Sequence, residues 1–208
     1  MADALADISC KGFAAELAAK KSVPGGGGAA AYVGALGAAL CSMAGEFTAG
    51  KEKFASVEAD IQRMLAEAER IRVRLIELVD EDAEAFFPLS QAYGIPKEDP
   101  TRAEALEKCT KDALAGPLEM VRLVCEAIDV LEEMAAKCSR IIVSDAGCGA
   151  TLCRAALEAA AMNVFINTKS LQDRAYAEEV EDEVDALLGV YIPKAEAVAA
   201  SVMESIRG

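Results

Sequence analysis

Two aspartates in the run Leu78-Val79-Asp80-Glu81-Asp82-Ala83-Glu84-Ala85-Phe86-Phe87 are the first residues placed to do acid–base chemistry. At roughly 100° per residue on a helix, Arg70, Arg74, Glu77, Glu81 and Glu84 form one polar stripe. Asp80 and Asp82 each fall about 100° off that stripe, on opposite sides. Asp82 lies among Leu75, Leu78 and Phe86, whereas Asp80 lies near Val73, Ile76, Ala83 and Phe87. A carboxylate in an apolar sector must find a partner or shift its pKa, and one tuned that way can act as a general acid or base. Residues about 200° apart do not face one site on one helix, so each would meet a different helix or a second subunit. A structural carboxylate, paired with a lysine or capping a helix, is the plain alternative for each.

A second feature is the run Gly25-Gly26-Gly27-Gly28, set between Pro24 and a helix start. Glycine lets a backbone approach a ligand, and a helix N-terminus offers free N–H groups and partial positive charge. The loop could hold an anion or a planar polar ring; a flexible linker or a tight helix–helix turn would use the same residues. It is neither a Walker A loop, whose Gly-Lys-Ser/Thr is missing, nor a dinucleotide fingerprint, which needs a preceding strand. Asn163 and Asn167 share one helix face at i and i+4. Buried, they would need partners, either a heterocyclic ligand or a neighbouring helix. Lys20, Lys21, Lys51, Lys53, Lys97 and Lys169 punctuate an acidic chain near element ends. They suit an anionic ligand, or are solvated helix-end lysines favoured by the helix dipole.

Composition narrows the chemistry further. The 208 residues include no histidine, which removes Ser-His-Asp and Cys-His pairs, histidine bases and His-ligated metals. Acid–base work falls to Asp, Glu, Lys, Tyr or Cys. The seven cysteines are odd in number and no two have CxxC spacing, so they read as buried small hydrophobes of a reducing cytosol, with no metal site. A net charge of −14 argues against nucleic acid as a partner. The acidic start lacks the basic region of a signal peptide. The Ala/Gly-rich stretch Ala29–Ala49 contains Glu46 and reads as a buried helix, not a membrane span. The expectation is a soluble, cytoplasmic protein.

The elements that must position these residues are helices. Apolar periodicity predicts helices over about 3–20, 29–49, 56–93, 101–137, 146–167 and 171–206, with a kink at Gly116-Pro117 and an interruption near Pro193. The short run Ile141–Val143 and a cap-like Ser144-Asp145 precede the fifth. Small residues along the second helix (Gly34, Gly37, Ala38, Cys41, Gly45) mark it as the centre of a bundle. With no domain boundary or repeat, residues 1–208 read as one all-α domain, an antiparallel bundle of about six long helices.

Taken in order, these segments resemble the cyclodeaminase/cyclohydrolase family of one-carbon folate enzymes. The resemblance rests on Ser22-Val23-Pro24-Gly25-Gly26-Gly27, Ala35–Leu40, Thr48-Ala49-Gly50-Lys51, Asp80–Phe86, Ile95-Pro96-Lys97, Ser144-Asp145 and Asn163–Asn167 with Asp173. At Gly28 the family often carries Ser or another small residue. The resemblance implies an all-α fold that dimerises, a tetrahydrofolate derivative as substrate, no metal and no permanently bound cofactor. It implies that Asp82 or Asp80 is the catalytic carboxylate. Ser22, Gly25, Gly26, Gly27, Lys51, Lys97, Asp145, Asn163, Asn167 and Asp173 are the implied substrate-binding or supporting positions. The implied reaction is hydrolysis of methenyltetrahydrofolate to formyltetrahydrofolate, with ammonia-releasing cyclodeamination of formiminotetrahydrofolate as the close alternative. A non-catalytic helical interaction protein is the third reading, which the glycine run and the off-stripe carboxylates disfavour.

Overall fold

The structure, a computed structural model, describes residues 4–208. Its helices are α1 (Cys10–Leu17), α2 (Gly26–Glu46), α3 (Glu58–Tyr93, after a 3-10 turn at Glu52–Val57), α4 (Arg102–Lys137), α5 (Val143–Thr168) and α6 (Arg174–Arg207). No strand occurs among the described residues. The all-α expectation holds, with five long helices and one short one.

Helix boundaries differ from expectation where side chains decide them. The first helix does not span 3–20, and Asp3 lies outside the described residues. The Ser9 hydroxyl accepts from the Gly12 N–H at 3.0 Å and starts α1 there. Residues 4–7 form a turn instead, closed by the Asp7 N–H donating to the Ala4 carbonyl. α2 begins earlier than expected, so Gly26, Gly27 and Gly28 are its first turn and only Gly25 is the cap. Ser144 and Asp145 likewise lie inside α5, whose N-cap is Ile142. α4 and α6 run on through Pro117 and Pro193 without a break. Each proline removes one N–H donor, but packing on both sides of it keeps the helix going.

α2 is the axis of the bundle, and its missing side chains are what let three helices reach it. A Cβ on Gly34 would stand 3.0 Å from Val124 of α4, 3.2 Å from Leu75 of α3 and 3.6 Å from Ala156 of α5. Further along, a Cβ on Gly149 of α5 would lie 2.9 Å from the Gly37 carbonyl and 2.8 Å from Leu131. A Cβ on Gly37 would lie 2.4 Å from the Cys153 sulfur. α2 therefore runs antiparallel to α3 and α5, with backbone against backbone at Gly37 and Gly149. Around it close Ile61, Met64, Ile71, Leu75, Leu78, Leu131, Met134 and Leu157, all at most 1 % exposed. Arg63, Arg70 and Arg74 of α3 pair with Glu133, Glu126 and Glu119 of α4, so the polar stripe of α3 lies along an antiparallel seam. Such exposed pairs set register more than stability.

Cys41, Cys125, Cys138 and Cys153 are buried as expected, but Cys10 and Cys148 are exposed. Burial pushes the Cys41 and Cys125 thiols up to about 12, so both stay protonated at neutral pH. α2, α5 and α6 are each long and apolar enough to cross a bilayer, although more than half of α2's most apolar stretch is packed inside the bundle.

The Gly37–Gly149 contact gives a direct test. Gly149→Ala must push apart two backbones and should cost about 1–3 kcal/mol. Thermal unfolding followed by circular dichroism should show the midpoint falling by several degrees, whereas Gly189→Ala, inside α6 with open space around it, should raise it slightly, because alanine favours helix by up to about 1 kcal/mol over glycine.

Candidate functional site

The site is built where the first turn of α2 meets the middle of α3. The Gly28 N–H donates to Asp82 Oδ2 at 3.0 Å. Helix geometry gives first-turn N–H groups no intrahelical acceptor, and here one of them is taken by a carboxylate. The contact depends on glycine. A Cβ on Gly27 would stand 2.3 Å from Asp82 Oδ1, whereas one on Gly28 would make only ordinary contact with the Val79 carbonyl, at 3.6 Å. The backbone of α2 thus rests directly on the carboxylate. The sequence pointed to the glycines as a ligand loop, but Gly28, the donor itself, was not among the site positions inferred. The signal that could have found it is its place in the third helical position after a proline and a cap.

Burial pushes the Asp82 carboxyl up from the usual carboxylate value, and the Gly28 N–H partly opposes this. Asp82 Oδ1 accepts none of the described hydrogen bonds. The carboxylate is therefore half-buried, held by one oxygen and unengaged at the other.

α5 supplies the third wall. A Cβ on Gly26 would lie 3.3 Å from Asn163 Nδ2, which places Asn163 beside the glycine turn. The Asn163 amide donates to the Ala159 carbonyl at 2.8 Å, and the Asn167 amide to the Asn163 carbonyl at 2.9 Å. Both asparagines thus bond back along their own helix, not across to another. Their Oδ1 atoms accept none of the described hydrogen bonds. Asp82, Gly26, Gly27, Gly28, Asn163 and Asn167 gather at one end of the bundle, with Gly25 capping α2 there. Ser22 is exposed on the segment leading into this turn.

The other expected positions lie elsewhere within the protomer. Asp80 does not share the site with Asp82: it accepts from the backbone N–H groups of Leu5 at 2.6 Å and Ala6 at 3.3 Å. Its sector is not core either, since Val73 and Phe87 are exposed. Lys51 lies past the far end of α2, about 30 Å from Gly26 at 1.5 Å per residue. Asp145 opens α5 at that same far end, roughly 27 Å from Asn163. The Ser139 N–H donates to the Thr48 hydroxyl there, which ties the two elements together. Lys97 lies in the loop after α3, whose end is about 17 Å along the helix from Asp82. Asp173 is the N-cap of α6, where it accepts from the Tyr176 N–H and pairs with Lys111 at 2.7 Å. The Lys111 ammonium holds the Asp173 carboxyl below the usual range, as suits a capping carboxylate.

A desolvated carboxylate beside unpaired helix N–H groups and two amide acceptors suits a planar, cationic or proton-transferring heterocycle. Comparison with known proteins points the same way. The family model for formiminotransferase-cyclodeaminase matches residues 9–186. A methenyltetrahydrofolate cyclohydrolase of Methylorubrum extorquens is 43 % identical over 176 residues, covering 83 % of this chain and 85 % of that protein. The formimidoyltransferase-cyclodeaminase of Mus musculus is 34 % identical over 88 % of this chain, which corresponds to 35 % of that longer protein. A crystal structure of formiminotetrahydrofolate cyclodeaminase from Thermotoga maritima superposes with a TM-score of 0.83 at 28 % identity, covering 95 % of this chain and 98 % of that one.

Gly27→Ala tests the carboxylate contact. A methyl group 2.3 Å from Asp82 Oδ1 must displace either the side chain or α2. The variant should lose about 1–3 kcal/mol in thermal or urea unfolding. Gly25→Ala, with nothing within 4 Å, should stay within about 1 kcal/mol of wild type.

Proposed function

The chain belongs to the formiminotransferase-cyclodeaminase family, and from that premise we propose that it hydrolyses methenyltetrahydrofolate to formyltetrahydrofolate with Asp82 as the proton-transfer group. The observation that carries the reading is the carboxylate itself, desolvated and anchored through Oδ2, with Oδ1 unengaged beside the glycine turn. The substrate's bridging carbon is a cationic amidinium centre, which an ionised carboxylate stabilises. As water adds to that carbon, Asp82 takes one water proton and the adduct becomes neutral. The bond from the carbon to one ring nitrogen then breaks, and that nitrogen receives the proton from Asp82. The hydroxyl proton leaves to solvent as the formyl C=O forms. No histidine is required. Asn163, Asn167 and the free first-turn N–H groups of α2 would orient the heterocycle, and Ser22 would line its entry.

Cyclodeamination makes similar demands, and the mouse and Thermotoga relatives favour it as the second reading. In that reaction a folate nitrogen attacks the formimino carbon, Asp82 moves the proton, and ammonia leaves. Purified protein should speed the loss of methenyltetrahydrofolate absorbance far above the uncatalysed rate while releasing no ammonia from formiminotetrahydrofolate. Ammonia release with silent hydrolysis would reverse the assignment, and silence in both would remove it.

Asp82→Asn should lower kcat roughly 100-fold or more, the usual scale for a lost general base. The acid limb of the wild-type pH–rate profile should lie above the ordinary carboxylate range, because burial raises the Asp82 pKa. Stability should respond in the opposite sense to activity. A raised folded-state pKa contributes stability below the unfolded-state value and loses it as pH rises through the folded value. At pH 7 Asp82→Asn should therefore unfold at the same temperature as wild type or higher. That advantage should shrink as the pH is lowered through the Asp82 titration.

The chain also carries a surface suited to a second copy of itself. Leu36, Leu40 and Met43 of α2 with its C-cap Phe47, and Leu152, Ala155, Ala159, Met162 and Ile166 of α5, form adjoining outward stripes with no charged side chain. Met162 is 69 % exposed and Ile166 is 62 % exposed, in a chain of net charge −14. Two helices about 10 Å wide and 30 Å long offer roughly 600 Å² per protomer, close to the ~800 Å² of a stable interface. Sedimentation at micromolar concentration should find a dimer, and Met43→Asp should shift it to monomer.

A further inference from the structure

Asp80 has a different task from the one its motif suggests. We propose that Asp80 is a positioning residue that latches the amino-terminal arm onto α3 and thereby fixes the segment carrying Ser22 against the folate site; this rests on the folate reading of that site. Asp80 accepts from the N–H groups of Leu5 and Ala6, and Asp82, two residues on, accepts from Gly28. Two carboxylates on opposite sides of one turn of α3 thus hold the two ends of one excursion of chain, from Leu5 through α1 and the Lys20–Val23 segment to Gly28.

Otherwise a few side chains hold the excursion: Leu5 and Ile8 rest half-buried against the core, and Pro24 is buried where it ends. Phe13 is the one buried residue of α1. Its ring meets Tyr32 of α2 at 5.2 Å between centroids, and the Tyr32 hydroxyl is 3.3 Å from the Cys10 sulfur. Residues 17–22 are all exposed, and among the described residues Lys21 pairs with Glu16 of the same excursion. Beneath the arm a small cavity of about 20 Å³ remains between Leu5, Ile8, Phe13, Tyr32 and Val79, so packing alone does not seal the arm to α2 and α3. A thinly packed segment depends on its polar ties for its position. Releasing the Leu5 end leaves Ser22 and its neighbouring lysines held by the packing of Ile8, Phe13 and Pro24 and by the glycine turn. Substrate binding should then weaken while the chemistry at Asp82, anchored separately by Gly28, continues.

The latch can be cut from either side. Asp80→Ala removes the acceptor. Leu5→Pro removes the shorter hydrogen bond from the donor side and suits the backbone, because Leu5 is the second residue of the Ala4–Asp7 turn, where proline is favoured. Leu5→Ala keeps the N–H and controls for the lost side chain. Asp80→Ala and Leu5→Pro should each raise KM for methenyltetrahydrofolate roughly tenfold with kcat within about twofold. The double variant should be no worse than the worse single one, and Asp80→Asn, which keeps one acceptor oxygen, should recover part of the loss. Hydrogen exchange of the backbone amides of residues 17–23, measured without substrate, should accelerate in both cut variants and not in Leu5→Ala. A 100-fold fall in kcat at unchanged KM would make Asp80 a catalytic group and overturn the proposal. Unchanged exchange in folded Asp80→Ala would overturn it too, whatever the turnover assay shows. If wild type turns over no folate, the exchange result still decides the latch, and the folate reading fails separately.

Discussion

Everything at the working end of this molecule depends on the absence of side chains along one face of α2. Where a Cβ would stand, the structure holds an aspartate oxygen at Gly27, three helices at Gly34 and a facing backbone at Gly37. A helix so stripped can sit at the centre of a bundle with its backbone in contact with its neighbours on three sides. The same closeness carries the first turn of α2 down onto Asp82. Core packing and carboxylate placement are therefore one constraint, expressed at successive turns of one helix.

The electrostatics follow from that placement. An ionised carboxylate taken out of water is penalised, and the Gly28 N–H offsets part of the penalty. The result is a carboxyl held above its ordinary pKa in a chain that has no histidine. The partial positive charge at the α2 N-terminus favours the ionised form, while burial favours the neutral one. A group balanced between them can take a proton and return it within one catalytic cycle.

Long separations within the chain give the structure its second theme. The glycine turn, Asp82, Asn163 and Asn167 gather at one end, while Lys51 and Asp145 lie at the other, about 30 Å away. The apolar stripes of α2 and α5 run the length between the two ends. A two-fold pairing that crossed these helices in opposite directions would bring one copy's far end toward the other copy's glycine turn.

The sequence by itself determined the helical class, α2 as the central helix and Asp82 as the carboxylate on an apolar face. Each follows from a local regularity: the 3.6-residue period, the spacing of small residues, or an angle around one helix. The resemblance to folate enzymes also lay in the order of short motifs. What the tertiary structure decided is partnership. Asp80 and Asp82 share a motif, yet one holds the amino-terminal arm and the other the α2 turn, because their side chains leave α3 on opposite sides. Asp173, which the resemblance implies as a site or supporting position, caps α6 and pairs with Lys111, a contact made across 62 residues of chain. The run of four glycines read as a loop because glycine disfavours helix; three of them are nevertheless helical, and at Gly27 only a residue without Cβ fits against Asp82. Propensity is a property of the chain, whereas the space available to a Cβ belongs to the packed neighbours, and only the assembled bundle sets it.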